Sequence, residues 1–182
     1  QNPMDMAING NGYFAVSTPT GVAYTRAGNF MRNDKGQIVT ASGNVLLGQS
    51  SITSASASSA GIVIPSKATS VAIGTDGTVS YNLAEATAPA QADQIAMINF
   101  VNPTGLASAG GGLYYETMSS GEAQVGVAGK EGFGSISQYY TEQSNVNVAE
   151  ELVSLIAAQR AYEITAKSVS ASDQILQKLG QL

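Results

Sequence analysis

The last fifth of the chain, residues 147–182, constrains the fold more than any other stretch. It contains no proline and no glycine before Gly180, whereas the preceding sequence is rich in Gly, Ser, Thr and Asn and is broken into short runs. An uninterrupted run of this kind predicts one long helix, which at about 1.5 Å per residue would span roughly 50 Å. Asn147 is placed to cap its start, and Glu150 follows where the carboxylate of a capping box belongs.

Apolar residues recur every seven positions along this segment. We define the apolar stripe as this row and the residues that widen it: Val148, Leu152, Leu155, Ile156, Tyr162, Ala166, Val169, Leu176 and Leu179. The pattern is typical of a helix that buries one face, with a coiled coil as one form of it, although Gln159 and Asp173 interrupt the second seam. Each buried Leu-sized side chain contributes roughly 1.5–3 kcal/mol, so a fully wet stripe would forfeit on the order of 10 kcal/mol.

Two arrangements would bury the apolar stripe. The helix could lie across the rest of the chain as an ordinary core helix, or it could pack on another helix. No second long helical pattern exists in the sequence, so a helical partner would come from another chain or from a segment outside this sequence. The sequence starts without Met and runs directly into a strand-like pattern, from which we expect a missing upstream segment. The interface residues predicted on this basis are Val148, Leu152, Leu155, Ile156, Tyr162, Val169 and Leu176.

The residues before the helix predict a mainly β fold. Short alternating runs are separated by turn signals such as those at 9–12, 33–36 and 74–77, where Asn and Gly tolerate positive φ. Strands this short and evenly spaced are typical of an antiparallel meander, sandwich or barrel. We therefore predict a β-rich domain over 1–143, with a Ser/Ala-rich loop near 49–61, followed by a helical segment over 144–182.

The most apolar of these runs is 94–101, which reads Q-I-A-M-I-N-F-V. A continuous apolar run of this length is typical of a strand that is covered on both faces. We expect it to be a single central strand of the β domain.

Composition excludes several classes of function. Thirteen acidic residues outnumber eight basic ones, which argues against nucleic acid as a partner. The chain has neither cysteine nor histidine, which removes thiolate metal sites and the commonest general base. A hydrolase would need a carboxylate pair or a Ser–Lys pair, and Ser66 and Lys67 would point to opposite faces of a strand. No stretch is long and apolar enough to span a membrane. We predict no enzyme activity, no cofactor and no metal.

A binding module remains an alternative from the residues alone. Exposed tyrosines on a β scaffold can stack on sugar rings, which would suit a carbohydrate-binding or adhesin-like β module. The candidate stacking residues are Tyr13, Tyr114, Tyr115 and Tyr139.

Three motifs in order resemble the bacterial flagellar rod and hook proteins. Residues 2–14 read N-P-M-D-M-A-I-N-G-N-G-Y-F, which resembles the family stretch N-P-L-D-L-A-I-x-G-x-G-F-F. Residues 24–30, Y-T-R-A-G-N-F, resemble Y-T-R-x-G-x-F. Near the end, S-N-V-N-V-A-E-E-L at 144–152 and A-Q-R-A-Y-E at 158–163 resemble the C-terminal signature of the family. Together the motifs extend the resemblance over nearly the whole chain.

Within that family, the middle of the chain is similar to the distal rod branch. The relevant stretches are 64–70, 74–80 and 102–106. The sequence departs from the family pattern at 164–167, where Ile-Thr precedes Ala-Lys in place of a frequent Asn, and at 171–173, where Ala-Ser-Asp replaces a common Thr-x-Asp.

The resemblance implies a structural role. Members of the family form helical tubes outside the cytoplasmic membrane, in the periplasm or cell envelope. Paired N- and C-terminal helices line the tube, and a β domain forms an outer layer. The tube transmits motor torque, and its subunits leave the cell through the flagellar type III export apparatus. The implied partners are other copies, the proximal rod and hook proteins and, where the envelope has them, outer ring (bushing) proteins. The resemblance also implies that an N-terminal helix is missing here.

Overall fold

The computed structural model describes residues 2–53, 56–57, 61–84, 88–142 and 147–179, and gives the backbone alone for 53, 56–57 and 172–179. The chain divides into two compact units, Gln1–Glu142 and Gln143–Leu182. The first unit is built from short antiparallel strands, and the described part of the second is one helix, α1 (Val148–Leu179). The predicted fold class, an antiparallel β body followed by one long C-terminal helix, is confirmed.

The strands are short throughout the first unit. In chain order they are β1 (Met6–Asn9), β2 (Tyr13–Thr18), β3 (Gly21–Thr25), β4 (Phe30–Arg32), β5 (Ile38–Thr40), β6 (Val45–Leu46), β7 (Ile52–Thr53), β8 (Ser56–Ala57), β9 (Ala68–Ile73), β10 (Thr78–Leu83), β11 (Ala90–Gln94), β12 (Met97–Asn99), β13 (Ala107–Gly110), β14 (Leu113–Tyr115), β15 (Gln124–Gly126) and β16 (Ser135–Gln138).

A nine-stranded antiparallel sheet forms the centre of this unit. Its main path runs β13-β14-β3-β2-β6-β5-β4, and β12 pairs with both β2 and β15. Strand β2 is central because its residues 14–18 pair with β3 and its other side pairs with β12 and β6. The 3₁₀ turn Pro103–Gly105 leads from β12 towards β13.

Both faces of this sheet are buried around β2. Successive side chains of a strand point to opposite faces. Phe14 and Val16 of β2 accordingly join a large core cluster, whereas Ala15 between them joins a second, smaller one. The larger cluster includes Phe30, which meets the ring of Phe14 edge to face with ring centroids 5.2 Å apart. The smaller cluster is centred on Tyr24, Ile98 and Phe100.

Two smaller sheets cover the large core. Strands β1 and β16 pair antiparallel, with Ile8 opposite Ile136. Strands β11, β10 and β9 form a three-stranded sheet. Ile8 and Ile136 of the first and Ile73 and Val79 of the second belong to the large core cluster. The unit is therefore a sheet packed against two smaller sheets, held by apolar burial.

The prediction of one central strand over 94–101 is wrong. Strand β11 ends at Gln94 and β12 begins at Met97, so the run is divided between two sheets. Between them the backbone of Ile95 bridges to Gly48, and the Ala96 N–H donates to the Leu47 carbonyl. The run is apolar because it crosses the core from one sheet to the other.

The Ser/Ala-rich stretch at 49–61 is not wholly a loop. It contains the short hairpin of β7 and β8, in which Ile52 pairs with Ala57. Residues 54–55 and 58–60, to which the loop prediction also applies, lie outside the described residues. Among the residues that are described, no helix combines the length and apolarity needed to cross a membrane.

Candidate assembly surface

The start of α1 is fixed by Asn147. Its side-chain Oδ1 accepts a hydrogen bond from the Ala149 N–H at 3.1 Å, and its backbone carbonyl accepts one from the Glu151 N–H at 3.1 Å. The predicted N-cap is therefore confirmed. Glu150 and Glu151 occupy the first turn, where their negative charge interacts favourably with the helix dipole.

The apolar stripe is exposed wherever its side chains are described. Six of the seven predicted interface residues have exposed fractions between 49% and 79%: Val148, Leu152, Leu155, Ile156, Tyr162 and Val169. The seventh, Leu176, lies where the backbone alone is described. Exposed apolar patches of this extent mark interaction surfaces in soluble proteins.

A second row of apolar residues lies on the opposite side of α1. Val153 and Ile164 are each 66% exposed, and Ala157 lies between them. Their spacings of four and seven residues place all three on one helical face. The seven-residue count that defines the stripe misses this row, but the same sequence reveals it when the opposite face is examined. A helix with apolar residues on two sides is typical of an element buried between several neighbours.

The tyrosines of the carbohydrate-binding alternative mostly have partners within the chain. The ring of Tyr13 meets those of Phe100 and Tyr114 edge to face, each with centroids 6.0 Å apart, and burial raises the pKa of its hydroxyl. The hydroxyl of Tyr115 lies 2.8 Å from that of Thr20, and hydrogen bonds to Thr18 and Thr20 lower its pKa. These contacts make three of the four rings part of the packing of the β unit, whereas Tyr139 is 47% exposed.

The side chains of the described residues form no arrangement that resembles a catalytic site. They include no group of three or more acidic or other metal-ligating side chains able to hold an ion. One small cleft of about 80 Å³ lies between Thr25, Asn29, Ser42, Asn44 and Leu113. It has no charged lining residue, and a space of this size holds only a few water molecules.

Comparison with known families matches both units. The model described as "Flagellar hook protein FlgE/F/G D1 domain" matches residues 7–81, and that described as "Flagellar basal body rod FlgEFG protein C-terminal" matches residues 137–182. The first match runs from within β1 into β10, and the second covers the last two residues of β16 and all of α1.

Curated relatives agree with these matches. The chain is 47% identical to the flagellar basal-body rod protein FlgG of Buchnera aphidicola (subspecies Acyrthosiphon pisum), over 98% of this chain and 64% of the relative. It is 43% identical to that of Caulobacter vibrioides over 100% of this chain and 65% of the relative. It is 38% identical to that of Bacillus subtilis over 98% of this chain and 65% of the relative.

These matches identify the class of protein. The chain belongs to the flagellar basal-body rod and hook protein family. It spans 64–65% of the length of the three rod proteins just described. A flagellar hook protein of Borreliella burgdorferi is also similar, at 39% identity over 49% of this chain and 20% of the relative.

Proposed function

We propose that this chain is the greater part of a structural, non-enzymatic subunit of the flagellar rod, with the distal rod as its place. The observation that carries the proposal is the exposed apolar stripe on α1, on a chain whose relatives are named basal-body rod proteins. A subunit that polymerises needs a surface that is exposed to solvent in the free subunit and buried in the assembly.

The interface residues are the seven of the predicted set: Val148, Leu152, Leu155, Ile156, Tyr162, Val169 and Leu176. Their burial between copies would contribute on the order of 10 kcal/mol before the cost of association. The second row at Val153 and Ile164 supports packing on more than one neighbour. A tube in which helices are surrounded on several sides suits this helix better than a two-stranded coiled coil, whose seam Gln159 and Asp173 would interrupt.

The division of labour follows the two units. The β domain over 1–143 forms an outer layer, and the segment over 144–182 supplies the assembly helix. The partners are other copies, the neighbouring proximal rod and hook proteins and, where present, outer ring proteins. The site of assembly is the basal body outside the cytoplasmic membrane, reached by type III export, and the tube transmits torque from motor to hook.

The proposal is tested in cells that depend on the full-length rod protein containing this sequence. Leu155→Glu combined with Tyr162→Glu introduces two charges into the apolar stripe. We expect rods that fail to extend, no hooks or filaments in electron micrographs, and no swimming in soft agar, since a buried unpaired carboxylate is costly.

Ser154→Glu is the matched control, because it adds a charge to an adjacent position that lies between the two apolar rows. Export and abundance of each variant are checked by immunoblot, so that loss of protein is separated from loss of assembly. Normal swimming by the double stripe variant would refute the proposed role of the stripe.

A further inference from the structure

Arg26, directly after β3, ties together separate parts of the β unit. Its Nη1 donates to the carbonyls of Gly10 at 3.0 Å and Gly12 at 3.1 Å, and its Nη2 donates to that of Ile8 at 3.2 Å. These three bonds hold the turn between β1 and β2. Gly10 and Gly12 have φ of 114° and 133°, which only glycine adopts readily, so the turn presents both carbonyls to one guanidinium.

The fourth hydrogen bond of Arg26 joins it to the last residue of the β unit in sequence. Its Nε donates to Oε2 of Glu142 at 3.0 Å, and this is the only ion pair among the described residues. Both side chains are partly exposed, at 32% and 48%. Glu142 is the last residue of the first compact unit and precedes α1, which begins at Val148.

Backbone hydrogen bonds hold this region only as far as Tyr139. Strand β16 ends at Gln138, and the Tyr139 N–H donates to the Asp5 carbonyl at 2.8 Å. Tyr139 has a φ of 68°, so the chain turns away from the strand there. No backbone hydrogen bond joins residues 140–142 to another described residue. The Arg26–Glu142 pair therefore fixes the chain three residues beyond the last backbone contact.

The ion pair therefore gives the end of the β unit a second fixed point, beyond Tyr139. We propose that Arg26 and Glu142 form a latch that holds residues 140–142 on the β unit, beyond the last backbone hydrogen bond. The latch acts within one copy and does not depend on the proposed function.

Arginine suits this role for two reasons. It carries five N–H donors in a fixed fork, so one side chain can serve three carbonyls and a carboxylate together. Its planar fork is also pre-organised, so less side-chain entropy is lost for each hydrogen bond that forms. A lysine could hold the turn or the carboxylate, but not both sets in this geometry.

Cleavage by chymotrypsin after Tyr140 tests the latch. Tyr140 is 67% exposed, so access to the bond depends on whether residues 141–142 can extend into the protease. Glu142→Ala should raise the initial rate of this cleavage by up to about fivefold, the upper end of the effect of an exposed ion pair. Glu122→Ala, which removes an exposed carboxylate elsewhere on the β unit, should leave it unchanged. Mass spectrometry identifies the cut site.

Two further measurements make the result decisive. Peptides of residues 136–146 with and without Glu142→Ala give the protease's own preference, by which the protein rates are divided. Raising NaCl from about 0.05 to 0.5 M should speed cleavage of the wild type relative to Glu142→Ala, because salt screens exposed charges. Equal corrected rates for wild type and Glu142→Ala, with unchanged thermal unfolding of both, would overturn the latch.

Discussion

Gly28 is the glycine of the second family motif, at a position where no side chain fits. Its carbonyl accepts hydrogen bonds from the N–H groups of Met6 at 2.9 Å and Phe30 at 3.1 Å. A Cβ placed on Gly28 would lie 1.5 Å from the Met6 carbonyl oxygen. Met6 and Phe30 are both fully buried. This close approach joins β1 to the large core. It is a contact between backbones, which a sequence pattern does not reveal.

Tyr24 is the residue whose ionisation most affects the smaller core. It is 7% exposed, and its ring lies edge to face with Phe100 at a centroid distance of 4.9 Å. Burial, reinforced by the charge of Glu116, raises the pKa of its hydroxyl to about 12 from an ordinary value of 10.0. The folded state therefore favours the neutral phenol, and this stabilisation is complete below pH 10 and is lost as the pH rises towards 12.

Replacing Tyr24 by Phe should remove this alkaline loss. The quantity to follow is the free energy of unfolding of the wild type minus that of Tyr24→Phe. Between pH 8 and pH 11 this difference should fall by at most about 1 kcal/mol. Urea unfolding of both proteins at the two pH values measures this. Parallel changes in the two proteins would show that other tyrosines, and not Tyr24, cause the alkaline sensitivity.

Among the elements, α1 is the one most readily predicted from sequence. Its length follows from the absence of Gly and Pro, and its start follows from Asn147. Replacing Asn147 by Ala should destabilise the first turn by about 1 kcal/mol, because the Ala149 N–H loses its acceptor. Hydrogen exchange at the amides of residues 149–151 should accelerate, whereas Gln159→Ala in the middle of the helix should not alter it. Unchanged exchange in the Asn147 variant would contradict the capping role.

The strands show where sequence reasoning stops. Turn signals rich in Asn and Gly locate hairpins, such as that between β4 and β5, because local backbone preference is strong there. The run at 94–101 is apolar throughout, so its pattern cannot show that the chain leaves one sheet and enters another at Ile95. Strand β15 reads Q-V-G and is formed by pairing with β12, which is distant in sequence. Tertiary pairing, not local propensity, determines these two features.

Only part of the candidate assembly surface can be predicted from the sequence. A row at seven-residue spacing indicates one buried face, and this gave the apolar stripe. The opposite row at Val153 and Ile164 was missed because a search for a single seam ignores the other side of the helix. The Arg26–Glu142 pair joins residues 116 positions apart, and no local pattern reveals such a contact.

At the scale of the whole molecule, the two units have different sources of stability. The members of both core clusters lie in the β unit, from Met4 to Ile136. The helix has its own hydrogen bonds and cap, but its described side chains are exposed from Asn147 to Ala171. The β unit thus has its own apolar core, whereas the apolar rows of the helix are exposed to solvent. This combination is expected of a subunit whose helix is buried only on assembly.

Thiol labelling at Leu155 tests this account most directly. The chain contains no cysteine, so Leu155→Cys introduces a unique reactive site. Leu155 is 54% exposed, so a maleimide should label the purified chain carrying this substitution rapidly. In isolated basal bodies assembled from the full-length protein with the same substitution, labelling should be slowed at least about tenfold by burial and should return after unfolding in urea. Equally fast labelling of the free chain and of intact basal bodies would contradict the claim that the apolar stripe is the assembly surface.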